Sequence, residues 1–119
     1  MSPVFVYGTL KRGFGNHHYM AGQSFVGPAS TAPGFALYDL GGYPGMVRSP
    51  GTATGVTGEV WSVDEECLAR LDELEGIAEG LYRRERVPLL GAPLEEGAEA
   101  YIYLKGVEGR PALGGEWTG

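Results

Sequence analysis

The sequence predicts a single α+β domain that is mostly β structure with one good α-helix. Short segments of β-branched and aromatic residues recur along the 119 residues, beginning with residues 4–7, and such segments are typical of strands. Residues 63–74 instead carry apolar side chains at the helical period. Glycine accounts for 21 of the 119 residues, well above the average of about 7%, and this predicts many turns between short elements. A chain of this length suits one domain.

Composition and charge exclude several classes of protein. Hydrophobic residues make up 43% of the chain and charged residues 20%, so the chain can bury a core. No run approaches the roughly 18 apolar residues of a membrane span, and the first residues lack the features of a signal peptide, so we expect a cytoplasmic protein. A net charge of −6 and dispersed basic residues argue against nucleic acid as a partner. The single Cys67 cannot form an intramolecular disulfide.

The first half of the chain is predicted to be β structure broken by glycine and proline. Gly8 follows the first strand and opens a loop, whereas Asn16 can cap a short helical turn. Pro28 and Pro33 interrupt the next β region. In chain order we predict a strand at 4–7, a loop at 8–15, a helical turn at 16–20, broken β structure at 24–40, a rigid loop at 41–45 and a central strand at 55–63.

The helix is predicted at residues 63–74. Ser62 and Glu65 have the spacing of a capping box, and Asp64 is the alternative N-cap. Gly76 ends the helix. The apolar stripe that should face the core consists of Cys67, Leu68, Leu71 and Leu74.

Two further strands are predicted after the helix, at residues 81–90 and 98–105, joined through turn-rich residues 91–97. The domain is expected to span residues 1–105. The last fourteen residues, 106–119, contain five glycines and Trp117, so we predict a flexible tail or a flap.

Glu75 is the first candidate for chemistry. It follows Leu71 by four positions and Leu68 by seven, which places its carboxyl near the apolar stripe. Loss of water and the negative C-terminal end of the helix dipole should both raise the pKa of this carboxyl, so that it exchanges a proton near neutral pH. The alternative is that Glu75 merely ends the helix and turns to solvent.

Residues 7–10, with the sequence YGTL, are the second candidate. A glycine directly after a strand lets successive backbone N–H groups turn outward into a nest that can hold a carboxylate or an oxyanion. Gly8 and Gly13 have the spacing of a phosphate-binding loop, but Phe14 and Gly15 stand where Lys and Ser or Thr are required, so that motif is rejected. The alternative is an ordinary hairpin or crossover turn.

Other chemically active residues give weaker signals. His17 and His18 are adjacent and cannot jointly chelate one metal ion without distant residues, so we expect a solvated pair. Cys67 on the apolar helix face should have a raised thiol pKa and is rejected as a nucleophile. Tyr82 and Arg84 share one face of a predicted strand and can both face a pocket.

Several stretches together resemble the γ-glutamylcyclotransferase-like superfamily. They are VFVYGTLKRG, the Asn16-His17-His18 that follows, LDELEG and LYRRERV. The likeness is greatest to γ-glutamylamine cyclotransferase and the AIG2-like proteins, and it extends from Val4 to about Leu104. Order and spacing match too, with YGTL on the first strand, a helix ending in Glu and an LY-x-R strand just after it. The resemblance implies a small mixed β-barrel with one main helix alongside.

The same resemblance implies a site. Glu75 matches the family's catalytic acid/base, and the backbone of the YGTL loop would hold the α-carboxylate of a γ-glutamyl group. No cofactor and no metal ion are implied. The implied substrate-binding residues are Tyr7, Gly8, Thr9, Leu10, Tyr43, Pro44 and Tyr82.

The implied activity releases an amine and 5-oxoproline from a γ-glutamyl compound through attack of the α-amine on the γ-carbonyl. One alternative is a non-catalytic protein of the same fold that binds a small carboxylated metabolite. Another is a protein-interaction domain, which depends on an exposed Trp117 in the tail. The departing amine is not determined by the sequence, and a monomer is the default expectation.

Overall fold

A computed structural model of the protein describes residues 1–90 and 97–119, so most of the predicted 91–97 turn lies outside the described residues. The described part contains eight strands, one α-helix and one 3-10 helix, and neither helix has the length and hydropathy of a membrane span. The helices are the 3-10 helix His17–Met20 and α1 (Glu65–Leu74). The strands are β1 (Ser2–Val6), β2 (Ser24–Ser30), β3 (Phe35–Asp39), β4 (Pro44–Arg48), β5 (Thr57–Val63), β6 (Tyr82–Val87), β7 (Ala98–Tyr103) and β8 (Ala112–Leu113).

The strands form one mixed sheet in the order β2-β5-β1-β7-β4-β3-β8, and β6 pairs with β7 off this path. Strand β5, predicted to be central, is an interior strand second from the sheet edge, and it runs antiparallel to both β1 and β2. Strand β7 is parallel to β1 and β4, and each of these two pairings is a single residue pair. The sheet curves into a half-barrel with α1 alongside, so the predicted α+β fold is confirmed.

Strand β1 is buried on both faces and connects two apolar cores. Because successive side chains of a strand point to opposite faces, Val4 and Val6 join the core that also contains Cys67 and Leu71 of α1, whereas Phe5 joins the core on the other face. Burial on both sides explains why this strand is a continuous apolar run rather than an alternating one.

The hydroxyl of Tyr7, directly after β1, bridges β4 and β7. It donates to the carbonyl of Tyr101 at 2.6 Å and accepts the N–H of Met46 at 3.2 Å. Since β4 and β7 pair through one residue pair, the hydroxyl supplies hydrogen bonds that the ladder lacks there. The loop that begins at Gly8 therefore starts where β4 and β7 meet.

Helix α1 starts at residue 65, with Asp64 as the N-cap. The Asp64 carboxylate accepts the N–H of Cys67 at 2.7 Å, while Ser62 lies within β5, so the Asp64 alternative is the correct one. In the predicted apolar stripe, Cys67 and Leu71 are fully buried and the other two leucines are half-buried. The helix packs on the sheet through this stripe.

Several predicted boundaries are wrong. The second loop is shorter than predicted because Pro44 and Gly45 already pair with β3 as the start of β4. The strands predicted at 55–63, 81–90 and 98–105 are each shorter, and the broken β region consists of β2 and β3. The side chain of Asn16 does not cap the 3-10 helix.

The C-terminal segment 106–119, for which we predicted a flexible tail or a flap, contacts the rest of the protein through β8 and Trp117. Strand β8 pairs with β3, and Trp117 is only 7% exposed. The Trp117 ring lies 4.9 Å from that of Phe14, and its carbonyl accepts a hydrogen bond from the buried Lys11 ammonium at 2.7 Å. The expectation of an exposed Trp117 is therefore wrong, and the interaction-domain alternative loses its basis.

Candidate active site

The predicted site residues lie around one small inner chamber of about 40 Å³. A buried water needs roughly 10–15 Å³, so this space suits the polar end of a small molecule. Its lining includes all eight predicted residues, which are Tyr7, Gly8, Thr9, Leu10, Tyr43, Pro44, Glu75 and Tyr82. Phe5, Val6 and Tyr101 complete the wall.

A larger outer chamber of about 380 Å³ adjoins the inner one. Four residues line both spaces and so mark the junction between them; these are Thr9, Tyr43, Glu75 and Tyr82. The rest of the outer wall is mostly apolar and consists of Asn16, Gly42, Leu74, Leu81 and Tyr103. The sequence did not mark any of these five as site residues.

Glu75 stands at the junction because helix α1 ends there. Its N–H donates to the carbonyl of Leu71 at 2.9 Å, and Gly76 then turns the chain with a φ of 68°, a value that favours glycine. The Glu75 carboxyl forms no hydrogen bond or ion pair with any residue that the structure describes. Burial raises its pKa from 4.5 to about 7, so it can hold or release a proton near neutral pH.

The loop after β1 lines the inner chamber. The N–H of Lys11 donates to the carbonyl of Gly8 at 3.0 Å and closes the turn. Within residues 1–90 and 97–119, the N–H groups of residues 8–10 donate to no loop or turn carbonyl, and all three residues line the chamber. Successive N–H groups of such a loop can hold a carboxylate where they turn toward it.

Gly8 also makes a close contact that the sequence did not predict. A Cβ at this position would lie 2.7 Å from Cγ and 2.9 Å from Cδ of Pro44, which is buried in the chamber wall. The close approach therefore serves the packing of two chain segments against each other, and it closes one side of the inner chamber.

Two buried tyrosines form rigid walls. The hydroxyl of Tyr82 donates to the carbonyl of Pro44 at 3.1 Å, and that of Tyr7 donates to Tyr101. Burial raises the pKa of both hydroxyls, and the charge of Glu75 raises it further. Both groups keep their protons at neutral pH, and those protons are directed at backbone carbonyls.

Asn16 is a chamber residue that sequence reasoning assigned to a helix cap. Its side-chain amide donates to the hydroxyl oxygen of Thr9 at 2.9 Å, and its backbone N–H donates to the Thr9 carbonyl at 2.9 Å. The only sequence signal was its place in the stretch that carries the family resemblance.

Apart from Tyr82, the residues with weaker signals lie away from the chambers. His17 bonds the carbonyl of Leu10 through Nδ1 at 2.9 Å, and no metal-binding cluster is present in the described part of the chain. Burial raises the pKa of the Cys67 thiol, as expected. The expectation that Arg84 faces a pocket is wrong, because its guanidinium pairs with Asp72 and Glu99.

The sequence of the chain matches one family model and several relatives. Residues 4–119 match the model of the family described as gamma-glutamyl cyclotransferase, AIG2-like. A putative gamma-glutamylcyclotransferase of Vibrio cholerae is 48% identical over 84 residues, which cover 71% of this chain and 70% of that protein. The gamma-glutamylcyclotransferase family protein YtfP of Escherichia coli K12 is 38% identical over 115 residues, which cover 96% of this chain and 94% of YtfP.

Solved structures agree with the sequence matches. The crystal structure of an AIG2-like protein from Mus musculus has a TM-score of 0.72 at 32% identity, over 88% of this chain and 77% of that one. The solution structure of Escherichia coli YtfP has a TM-score of 0.71 at 34% identity, over 97% and 95%. Together the matches define a cyclotransferase-like enzyme. The chain belongs to the gamma-glutamyl cyclotransferase, AIG2-like family.

Proposed function

We propose that this protein cyclises γ-glutamyl compounds to 5-oxoproline and a free amine, with Glu75 as the general acid and base. The observation that carries the proposal is the position of Glu75. An unpaired carboxyl with a pKa of about 7 adjoins a turn of free N–H donors at the junction of two chambers. A proton carrier and an anion holder at one point are what this reaction needs.

In this proposal the two ends of the substrate occupy different chambers. The N–H groups of residues 8–10 would hold the α-carboxylate in the inner chamber, which has room for little more than the amino acid head. The amine that leaves would extend into the outer chamber. The γ-carbonyl then lies at the junction, beside Glu75.

Ring closure requires an orderly transfer of protons. The ionised Glu75 takes one proton from the α-ammonium, and the free amine attacks the γ-carbonyl carbon, whose π electrons move onto oxygen. When the carbonyl re-forms, the bond to the departing nitrogen breaks, and that nitrogen takes the proton held by Glu75. The ring nitrogen then loses a second proton, which Glu75 can also carry, so that 5-oxoproline and an alkylammonium ion leave.

Orientation supplies the rest of the acceleration. The attack joins two ends of one flexible molecule, and holding the α-carboxylate in the inner chamber and the departing amine in the outer one restricts the internal rotations that separate them. A carboxyl of ordinary pKa would be almost fully ionised at pH 7 and would rarely hold the proton that the leaving nitrogen needs. A pKa of about 7 leaves both forms populated.

The proposal is tested with a panel of γ-glutamyl compounds that differ in the amine. Suitable members are γ-glutamylputrescine, ε-linked γ-glutamyllysine, γ-glutamylbenzylamide and γ-glutamylalanine, with 5-oxoproline and the free amine both measured. We expect the two products in equal amounts from at least one member. If the compounds raise the melting temperature without forming product, the protein is a binder of carboxylated metabolites instead.

A further inference from the structure

The cyclisation described above creates a negative charge on the γ-carbonyl oxygen, and this charge needs a hydrogen-bond donor. If the N–H groups of residues 8–10 hold the α-carboxylate, a different donor must serve the oxyanion. It must lie at the junction of the two chambers, where the γ-carbonyl is placed. The four junction residues are Thr9, Tyr43, Glu75 and Tyr82.

Three of the four are poorly suited. Glu75 is occupied with proton transfer. The Tyr82 hydroxyl already donates to the Pro44 carbonyl at 3.1 Å. Tyr43 is 46% exposed, and a donor in contact with water stabilises a developing charge less than a donor in a closed cavity.

The hydroxyl of Thr9 is free to donate, because Asn16 donates to its oxygen and does not accept its proton. A threonine hydroxyl has one proton to donate and two lone pairs to accept with. The side-chain amide of Asn16 donates to one lone pair at 2.9 Å, and the backbone N–H of Asn16 holds the Thr9 carbonyl at 2.9 Å. The hydroxyl proton has no acceptor among the residues that the structure describes.

We propose that the Thr9 hydroxyl donates to the γ-carbonyl oxygen as it becomes negative, and that Asn16 is a positioning residue that orients this hydroxyl by donating to its oxygen. The inference rests on the proposed function. It gives Thr9 a side-chain role beyond its backbone N–H, and it accounts for the hydrogen bond from Asn16, a residue of the outer wall, to the Thr9 hydroxyl.

The first test replaces the hydroxyl. Thr9→Val keeps the shape and removes the donor, so kcat on the best compound of the panel should fall by about 10²-fold, with KM changed much less. Thr9→Ser restores a hydroxyl and should recover most of kcat. Thr54→Val is the matched control, because Thr54 is exposed and lines neither chamber. Equal kcat for Thr9→Val and the native protein would overturn the proposal.

The second test reverses the hydrogen bond between the two side chains. In Asn16→Asp, a carboxylate accepts the Thr9 proton and turns it away from the substrate, so kcat should fall nearly as far as in Thr9→Val. Since both changes remove one interaction, Thr9→Val/Asn16→Asp should be little worse than either single variant. If the losses in kcat of the two single variants multiply in the double variant, Asn16 acts independently of Thr9. That result would overturn the positioning role of Asn16. Rates are compared at the pH optimum of each variant, because the new charge also raises the pKa of nearby carboxyls.

The outcomes separate this inference from the proposed function. Native protein that forms 5-oxoproline while Thr9→Val retains full kcat defeats the inference alone. Native protein that forms no 5-oxoproline from any compound of the panel defeats the proposed function and, with it, the role of Thr9.

Discussion

Two carboxyl groups at the end of α1, three residues apart, have opposite surroundings. Asp72 is fully engaged, since one oxygen pairs with the guanidinium of Arg84 and the other accepts the hydroxyl of Tyr101 at 2.7 Å. Glu75 has no side-chain partner within residues 1–90 and 97–119, and burial raises its pKa to about 7. The same helix end thus carries one anchored carboxylate and one that titrates.

The difference arises from what the sheet places opposite each position. Strands β6 and β7 carry Arg84 and Tyr101, and these side chains meet Asp72. The hydrogen bond that Arg84 donates to Asp72 is the main cause of the raised pKa of Arg84, so the guanidinium keeps its positive charge. Glu75 lies where the sheet opens into the chambers. The Asp72 carboxylate connects the helix to the sheet, whereas Glu75 lines both chambers.

The largest expected effect comes from removing the titrating carboxyl. Glu75→Gln keeps the shape and cannot cycle a proton, so kcat should fall by about 10²-fold to 10⁴-fold, equivalent to about 3–5 kcal/mol in the barrier. The measurement is the rate of 5-oxoproline formation. Glu73→Gln, at an exposed position on the same helix, is the matched control and should keep its rate. Native turnover in Glu75→Gln would remove Glu75 from the mechanism.

The second prediction uses the pH dependence of stability. A carboxyl whose pKa is raised by folding binds its proton more tightly in the folded state, so its stabilising effect is full below about pH 4.5 and is lost as pH rises through about 7. The unfolding free energy of the native protein, relative to Glu75→Gln, should fall by on the order of 3 kcal/mol from about pH 4 to about pH 9. Denaturant titrations of both proteins at several pH values measure it. A difference that does not vary with pH would show that Glu75 is solvated in the folded protein.

Of the two carboxyl groups, only Glu75 had surroundings that the sequence could predict. The stripe of leucines placed Glu75 on the buried side of the helix end, and the apolar run of β1 placed Gly8 at a strand end, because both signals are local and periodic. The two partners of Asp72 could not be predicted, because Arg84 and Tyr101 lie on strands whose register the sequence does not determine.

Contacts between distant or irregular segments explain the other failures. Trp117 is buried against Phe14 and Lys11, about a hundred residues earlier, and no spacing rule connects such positions. Asn16 meets Thr9 across a loop without a repeating period, so a helix cap was the natural prediction for it. The site residues were predictable as separate motifs, whereas their meeting around one chamber depends on how β1 joins β4 and β7.

The third prediction tests whether the packing of Gly8 against Pro44 contributes to the raised pKa of Glu75. In Gly8→Ala, the new Cβ pushes Pro44 out of the wall, so stability should fall by about 1–3 kcal/mol, and water should reach Glu75 and lower its pKa. Gly15→Ala is the matched control, since a Cβ there meets no atom within 4 Å. The pH profile of kcat, measured alongside thermal unfolding, should move to lower pH in Gly8→Ala only. An unshifted profile in a destabilised variant would mean that other walls keep water from Glu75.

The smallest effect is expected at the anchored carboxylate. Asp72→Asn removes the charge that pairs with Arg84 but keeps an oxygen that can accept the Tyr101 hydroxyl, so the helix end should stay in place. Because this pair is partly exposed, the loss of stability should be about 1 kcal/mol or less. The pH profile of kcat should stay centred where it is in the native protein, since Asp72 contacts neither chamber. A profile displaced as far as that of Gly8→Ala would show that the charge of Asp72 sets the titration of Glu75, and the two carboxyls would then have to be treated as one coupled pair.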